Sequence, residues 1–239
     1  MVDQVIKDTF AGTYKDDFSD SSGFQRILFN NGRAIQAREL TQMQTIIQRE
    51  LTRFGNNIFT DGAVVSSGGI NIKEVNFVKL DQSVNTLPTD TSTITETIFT
   101  GATSGVTASL YWVEVATDTD PGTLYIQYRA SNGANRFFTP GENISNGSVT
   151  LTVQTTNTTA NPAIGSGLFI GCGNADFFAE GRFVFAAKQE VLVSKYTVLV
   201  TDDIGFKVVE SIITAQDDIS LYDNSGALPN TSSPGADRY

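Results

Sequence analysis

The chain has 239 residues, is 40% hydrophobic with a mean hydropathy of −0.10, and carries a net charge of −10 without a single histidine. This length can bury a sizeable core, and its longest apolar runs, such as Phe183–Ala187, fall far short of a membrane span. An acidic chain lacks the clustered Lys and Arg that phosphate neutralisation needs, which argues against nucleic-acid binding and for a soluble, self-repelling surface.

No basic stretch leading into an apolar one marks the opening residues as a secretory signal. The Asn-x-Ser/Thr sites at Asn143, Asn146, Asn157 and Asn230 are therefore read as products of a Thr/Ser/Asn-rich composition. The lone Cys172 excludes an internal disulfide. Its neighbours Gly171 and Gly173 mark it as a small residue in a tight place rather than a reactive thiol.

Residues 1–29 read as an extended arm, with Asp16, Asp17, Ser19, Asp20, Ser21 and Ser22 forming a polar run before Phe24 and Ile27-Leu28-Phe29. Asn30-Asn31-Gly32 is a turn signal. A helix is predicted over 34–54. Its apolar positions Leu40, Met43, Ile47, Leu51 and Phe54 step by 3, 4, 4 and 3 along one stripe, widened by Ile46, and Gly55-Asn56-Asn57 is expected to stop it. The other faces carry Gln36, Arg38, Gln42, Gln44, Gln48, Arg49 and Arg53, amide and guanidinium groups suited to partly wet contacts. Two readings stay open: a helix that covers its own sheet, or one that also packs against copies of itself. The 11-residue repeat of the stripe does not fit a strict heptad, so a long left-handed coiled coil is not expected.

From Ile58 the sequence is written in strand and turn residues. The run 59–65 contains Asp61-Gly62, and Gly68-Gly69 parts it from the runs 70–72 and 77–80; both dipeptides read as hairpin turns. Pro88, in a Thr/Asp-rich stretch, marks a boundary. Short strands are predicted at Ile94–Phe99, Gly105–Val115, Thr123–Arg129, Phe137–Phe138 and Val149–Gln154, with Trp112 in the core. Their even spacing predicts a small β-barrel or sandwich over 89–160, inserted into a split domain formed by 30–88 and 161–222. Strands follow at Phe177–Phe185, Glu190–Val193, Tyr196–Val200 and Gly205–Thr214, and the tail 223–239 is expected to be extended. The predicted fold class is mainly β with one long helix near its start.

Without histidine, Ser-His-Asp and Cys-His catalysis and HExxH zinc chemistry are excluded. There is no phosphate-binding loop. The Gly165-Ser166-Gly167 and Gly171-Cys172-Gly173 triplets lack dinucleotide spacing and read as backbone accommodations. Paired carboxylates could act in glycoside hydrolysis, but Asp176 with Glu180 and Asp217 with Asp218 carry no local signature. Asp118–Gly122 starts like a calcium loop yet lacks its third ligand and distal Glu. No catalytic residue, cofactor or metal is expected.

The stretch Asn31-Gly32-Arg33-Ala34-Ile35-Gln36-Ala37-Arg38-Glu39-Leu40-Thr41-Gln42 resembles the opening motif of an uncharacterised tail-structural family of tailed bacteriophages, common in cyanophages. Arg53–Gly62, Phe177–Val184 and the tail residues Tyr222–Gly226, Asn230 and Ser233–Arg238 are similar to further motifs of that family. The 94–156 block resembles a variable β insert of such virion proteins. Asn31 stands where the family has proline, and the family pattern runs on past the Pro234–Arg238 motif, so a longer protein is expected.

The resemblance implies a non-enzymatic virion component of a tail baseplate or fibre root. It would act by assembly with copies of itself, as a trimer or other cyclic oligomer, and with other tail proteins. Its candidate assembly residues are Arg33, Arg38, Leu40, Gln42, Met43, Ile47, Leu51, Arg53 and Phe54. The alternative is a fibre module whose β insert binds a host-surface glycan.

Overall fold

In the computed structural model, which describes residues 16–66, 68–84, 97–131, 133, 135–223, 226 and 228–239, antiparallel sheets dominate and one helix stands among them. The chain forms two units, Met1–Val200 and Thr201–Tyr239. Residues 1–15 of the expected arm, the Pro88 boundary and the start of the strand predicted from Ile94 lie outside the described residues.

Helix α1 spans Ala37–Ile58, later at both ends than the pattern suggested. At its start the Glu39 carboxylate accepts the free Gln36 N–H at 3.0 Å, the return half of a capping box. Its end corrects the sequence reading, because Gly55-Asn56-Asn57 does not stop the helix. Gly55 is there for closeness: a Cβ added to it would lie 2.3 Å from Phe178 Cε2.

Phe178 belongs to a three-stranded sheet of β1 (Ala63–Val64), β9 (Ala175–Ala179) and β10 (Arg182–Ala186). The continuous strand predicted over Phe177–Phe185 is a hairpin, since Glu180 (φ 50°) and Gly181 (φ 78°) turn the chain. Two left-handed residues in succession match the twist of a tight hairpin. Thr52 Oγ1 donates to Gly181 O at 3.0 Å, and Phe59 packs on Phe178 and Phe183 with centroids 5.5 and 5.7 Å away. The end of α1 is thus bound to the hairpin by one buried hydrogen bond and a cluster of rings.

The main sheet has eight strands in the order β11-β8-β2-β5-β4-β3-β6-β7. They are β2 (Ile70–Lys79), β3 (Ile98–Gly101), β4 (Thr107–Glu114), β5 (Thr123–Ala130), β6 (Asn143–Ser145), β7 (Thr150–Thr152), β8 (Ile164–Cys172) and β11 (Gln189–Ser194). Gly68-Gly69 is not a hairpin turn: β1 pairs with β9, whereas β2 pairs with β5 and β8. The block 94–156 therefore shares one sheet with both flanking segments. Its fourth strand lies at Asn143–Ser145 rather than Phe137–Phe138, where Phe138 fills the core and its N–H bonds the Tyr128 hydroxyl at 3.3 Å.

The sheet also turns back on itself. Val153, just past β7, bridges Leu80 at the end of β2, with Asp81 N–H donating to Thr152 O at 3.0 Å and Gln154 N–H to Lys79 O at 2.8 Å. Inside this ring lie Val78, Leu80, Phe99, Leu110, Leu124, Ile126, Phe138, Ile144, Leu151 and Val153, all buried. A second cluster, Val75, Phe77, Tyr125 and Phe169, lies where β2, β5 and β8 run side by side. Trp112 is not core: it is 44% exposed, its ring resting on Phe169 and its N–H reaching Glu114.

In the second unit, the strand predicted over Gly205–Thr214 is absent apart from an Ile213–Arg238 bridge, and Tyr196–Val200 before it is not a strand either. The tail is more regular than expected, with β12 (Tyr222–Asp223) pairing β13 (Asn230–Pro234).

Two outcomes follow. In an ordinary helix Gly→Ala gains about 1 kcal/mol. At Gly55 the added methyl overlaps a fully buried ring, so Gly55→Ala should lose about 1–3 kcal/mol in urea denaturation instead. Burial pushes the Tyr128 phenol up to about 12 and raises Tyr111, Tyr125 and Tyr196 as well. A raised folded value means this stability is complete below pH 10, the unfolded value, and is lost as pH climbs toward 12. Phenolate absorbance should therefore lag behind that of free tyrosine and then rise together with alkaline unfolding.

Candidate assembly interface

Helix α1 carries two unlike faces. At 100° per residue, Arg38, Gln42, Thr45, Arg49 and Arg53 fall on one side, and Leu40, Met43, Ile47, Leu51, Phe54 and Ile58 fall on the opposite side.

The polar face is occupied by the segment just upstream of the helix. Asp16 accepts from the Thr45 hydroxyl, and Asp17 accepts from Arg38 Nη1 and Gln42 Nε2, both at 3.3 Å. Asp20 takes a two-pronged contact from Arg49, with Nε at 3.1 Å on Oδ1 and Nη2 on Oδ2, and a third contact from Arg53 Nη2 at 3.3 Å. A forked guanidinium–carboxylate pair is the strongest form of such contacts. Asp20 opens a short 3-10 turn, Asp20–Ser22, that ends on Gly23 (φ 64°). The acidic run is thus folded so that its carboxylates meet successive turns of the helix.

Among the described residues the apolar face is exposed. Leu40 is 43% exposed, Ile47 and Leu51 55%, Phe54 62% and Ile58 58%. The residues α1 buries are others: Ile46, Thr52 and Gly55. The candidate residues therefore separate. Leu40, Met43, Ile47, Leu51 and Phe54 come together on one stripe, which Ile58 extends. Arg38, Gln42 and Arg53 lie opposite, bound to the acidic segment, and Arg33 sits in the Asn30–Arg33 turn ahead of the helix. Sequence reasoning missed Asp16, Asp17 and Asp20 as helix partners. The signal was an acidic run followed by cations spaced for one helix face.

The polar residues elsewhere are engaged in holding the fold. Glu142, buried, accepts from Thr103 N, Ser104 N, Ser104 Oγ and Thr139 N at 2.6–2.9 Å and ties the loop after β3 to the turn before β6. Lys79, also buried, donates to Asn161 at 2.8 Å and lies 3.9 Å over the Tyr196 ring; burial lowers its pKa. Asp120 holds Lys195 at 3.1 Å, and Asp176 accepts from Ser66. Asp217 and Asp218 cap turns, their acidity increased by bonds from Thr214 and Ser220. Cys172 lies half-buried in β8, its thiol 3.7 Å from Gly68 O. Among the described residues no three His, Cys, Asp or Glu side chains gather as a metal site, and no helix is long and apolar enough to cross a membrane.

Residues 12–162 match the family described as Domain of unknown function (DUF4815). The chain belongs to this family. The DUF4815 match takes in the acidic segment, the whole of α1 and β1 to β7, so both faces of the helix lie within it. No curated protein and no solved structure matches the chain.

The clasp on the polar face is testable. Asp20 and Arg49 are about one-third and one-quarter exposed, which trims a forked pair to about 1–2 kcal/mol. Asp20→Ala should raise hydrogen exchange across residues 16–23 several-fold and leave exchange in β2 and β8 unchanged. Wild-type protein in 1 M salt should move the same way.

Proposed function

We propose that this chain is a structural component of a bacteriophage tail, in the baseplate or at a fibre root, that works by assembling with copies of itself and attaching neighbouring tail proteins. The observation that carries the assembly reading is the bare apolar stripe of α1. A soluble chain that leaves Leu40, Met43, Ile47, Leu51, Phe54 and Ile58 in water offers an interface in waiting. The resemblance of the Arg33–Gln42 and Pro234–Arg238 stretches to a phage tail family supplies the virion setting, with synthesis in the host cytoplasm. In this reading the ring of strands from β2 to β7, bonded back onto Leu80, is a small barrel that spaces distal parts from the assembling helix.

Magnitudes bear on how the copies meet. Burying an apolar side chain fully is worth about 1.5–3 kcal/mol, so the half-exposed stripe residues offer on the order of 6 kcal/mol per copy. Association costs about 4–15 kcal/mol, so the stripe alone holds a pair weakly and a ring in which each helix meets more than one neighbour holds better.

A carboxylate at the centre of the stripe would be desolvated on assembly. Ile47→Asp should weaken self-association at least about 100-fold, about 3 kcal/mol, while circular dichroism and melting of the dilute chain stay near wild type. Sedimentation across a concentration series reads this. An intact, correctly sized oligomer of Ile47→Asp would count against the reading.

A further inference from the structure

Resting on the self-assembly reading, we infer that the partner of the α1 stripe is the same stripe of other copies, packed parallel around a common axis as a straight or right-handed helix bundle. Three observations carry this.

The first is the period. With Ile58 included, the stripe steps by 3, 4, 4, 3 and 4 over Leu40–Ile58, a repeat of 11 residues in three turns. That is 3.67 residues per turn, and helices holding such a stripe together stay nearly straight or coil to the right. A stripe that keeps this register over about 27 Å is matched by another helix of equal period better than by the pleat of a sheet.

The second is charge on the flanks. One edge of the stripe carries Glu39 and Glu50, and the other carries Gln44 and Gln48. In an antiparallel pair each edge meets itself, which sets the Glu50–Arg53 ion pair (2.8 Å) against its own copy near the middle and brings Glu edge to Glu edge. In a parallel bundle the Glu edge meets the Gln edge, where amide N–H groups can donate to carboxylates. The parallel arrangement thus gives the carboxylate edge donors across the seam, where the antiparallel one gives it a second carboxylate edge.

The third is the polarity of the surroundings. The β9–β10 hairpin packs against α1 near Thr52 and Gly55 and sets the half-exposed Phe183 against Phe59, just past that end of the helix. Parallel packing keeps these aromatic ends level and lets a neighbouring helix cover them. Antiparallel packing sets them at opposite ends.

Disulfide trapping in the whole chain tests this, with Cys172→Ser as the background. Leu51→Cys should give abundant covalent dimer on mild oxidation, because a stripe position meets itself around a parallel axis. Chains carrying Leu40→Cys mixed with chains carrying Ile58→Cys should each cross-link to their own kind. Preferential Leu40→Cys to Ile58→Cys linkage would overturn the parallel arrangement. An intact oligomer in which Leu51→Cys does not cross-link would place the contact elsewhere and overturn this inference while leaving assembly standing. A chain that stays monomeric at every concentration would overturn both.

Discussion

The rest of the molecule depends on how one amphipathic helix divides its surface. A 22-residue helix cannot leave every face in water, and α1 settles two of its faces within its own chain. Asp16, Asp17 and Asp20 lie along the Arg38–Arg53 side, and the β9–β10 hairpin takes Thr52 and Gly55. What those contacts leave over is an apolar stripe edged by Glu and Gln. The geometry is unusual for a helix beside a sheet, because the hydrophobic face is not the one turned toward the sheet. Polar contacts with the acidic segment hold one face and the hairpin's rings hold the end of the helix, while the greasier side stays free for something larger.

The β part answers to different constraints. Its core is built in the usual way, with alternating strands filling the ring and a second cluster where β2, β5 and β8 adjoin. The polar groups that enter it are satisfied: Glu142 gathers four donors, and Lys79 has both an amide and a ring. Such groups resemble the parts of an active centre in composition, but in geometry they pin loops to strands. Their partners are backbone amides and neighbouring side chains that a substrate would have to displace.

Much of this was legible in the sequence, and the failures have physical causes. The helix, its stripe and strands β4, β5, β7 and β11 followed from periodicity, which is local. Some misreadings concern glycine or partner choice, which is not local; others, the strands read at Phe137–Phe138, Tyr196–Val200 and Gly205–Thr214 and a buried Trp112, took apolar residues for regular or core structure. Gly55 reads as a stop until Phe178 is known to lie against it, and Gly68-Gly69 reads as a hairpin until β2 is seen to pair with β5 and β8. The hairpin inside Phe177–Phe185 hid because Glu180-Gly181 sits within an apolar run. For the helix, the pattern identified the stripe but left its orientation open, since the same spacing serves burial inside the chain and burial between chains.

In the proposed assembly the stripe is exposed in the single chain and covered in the oligomer. Hydroxyl-radical footprinting of Met43 and Phe54 across a concentration series reads this difference residue by residue. Both should label strongly in dilute protein and fall several-fold as oligomer forms, with labelling of Leu228 unchanged as an internal reference. Met43 and Phe54 labelled as heavily in the oligomer as in the dilute chain would contradict it.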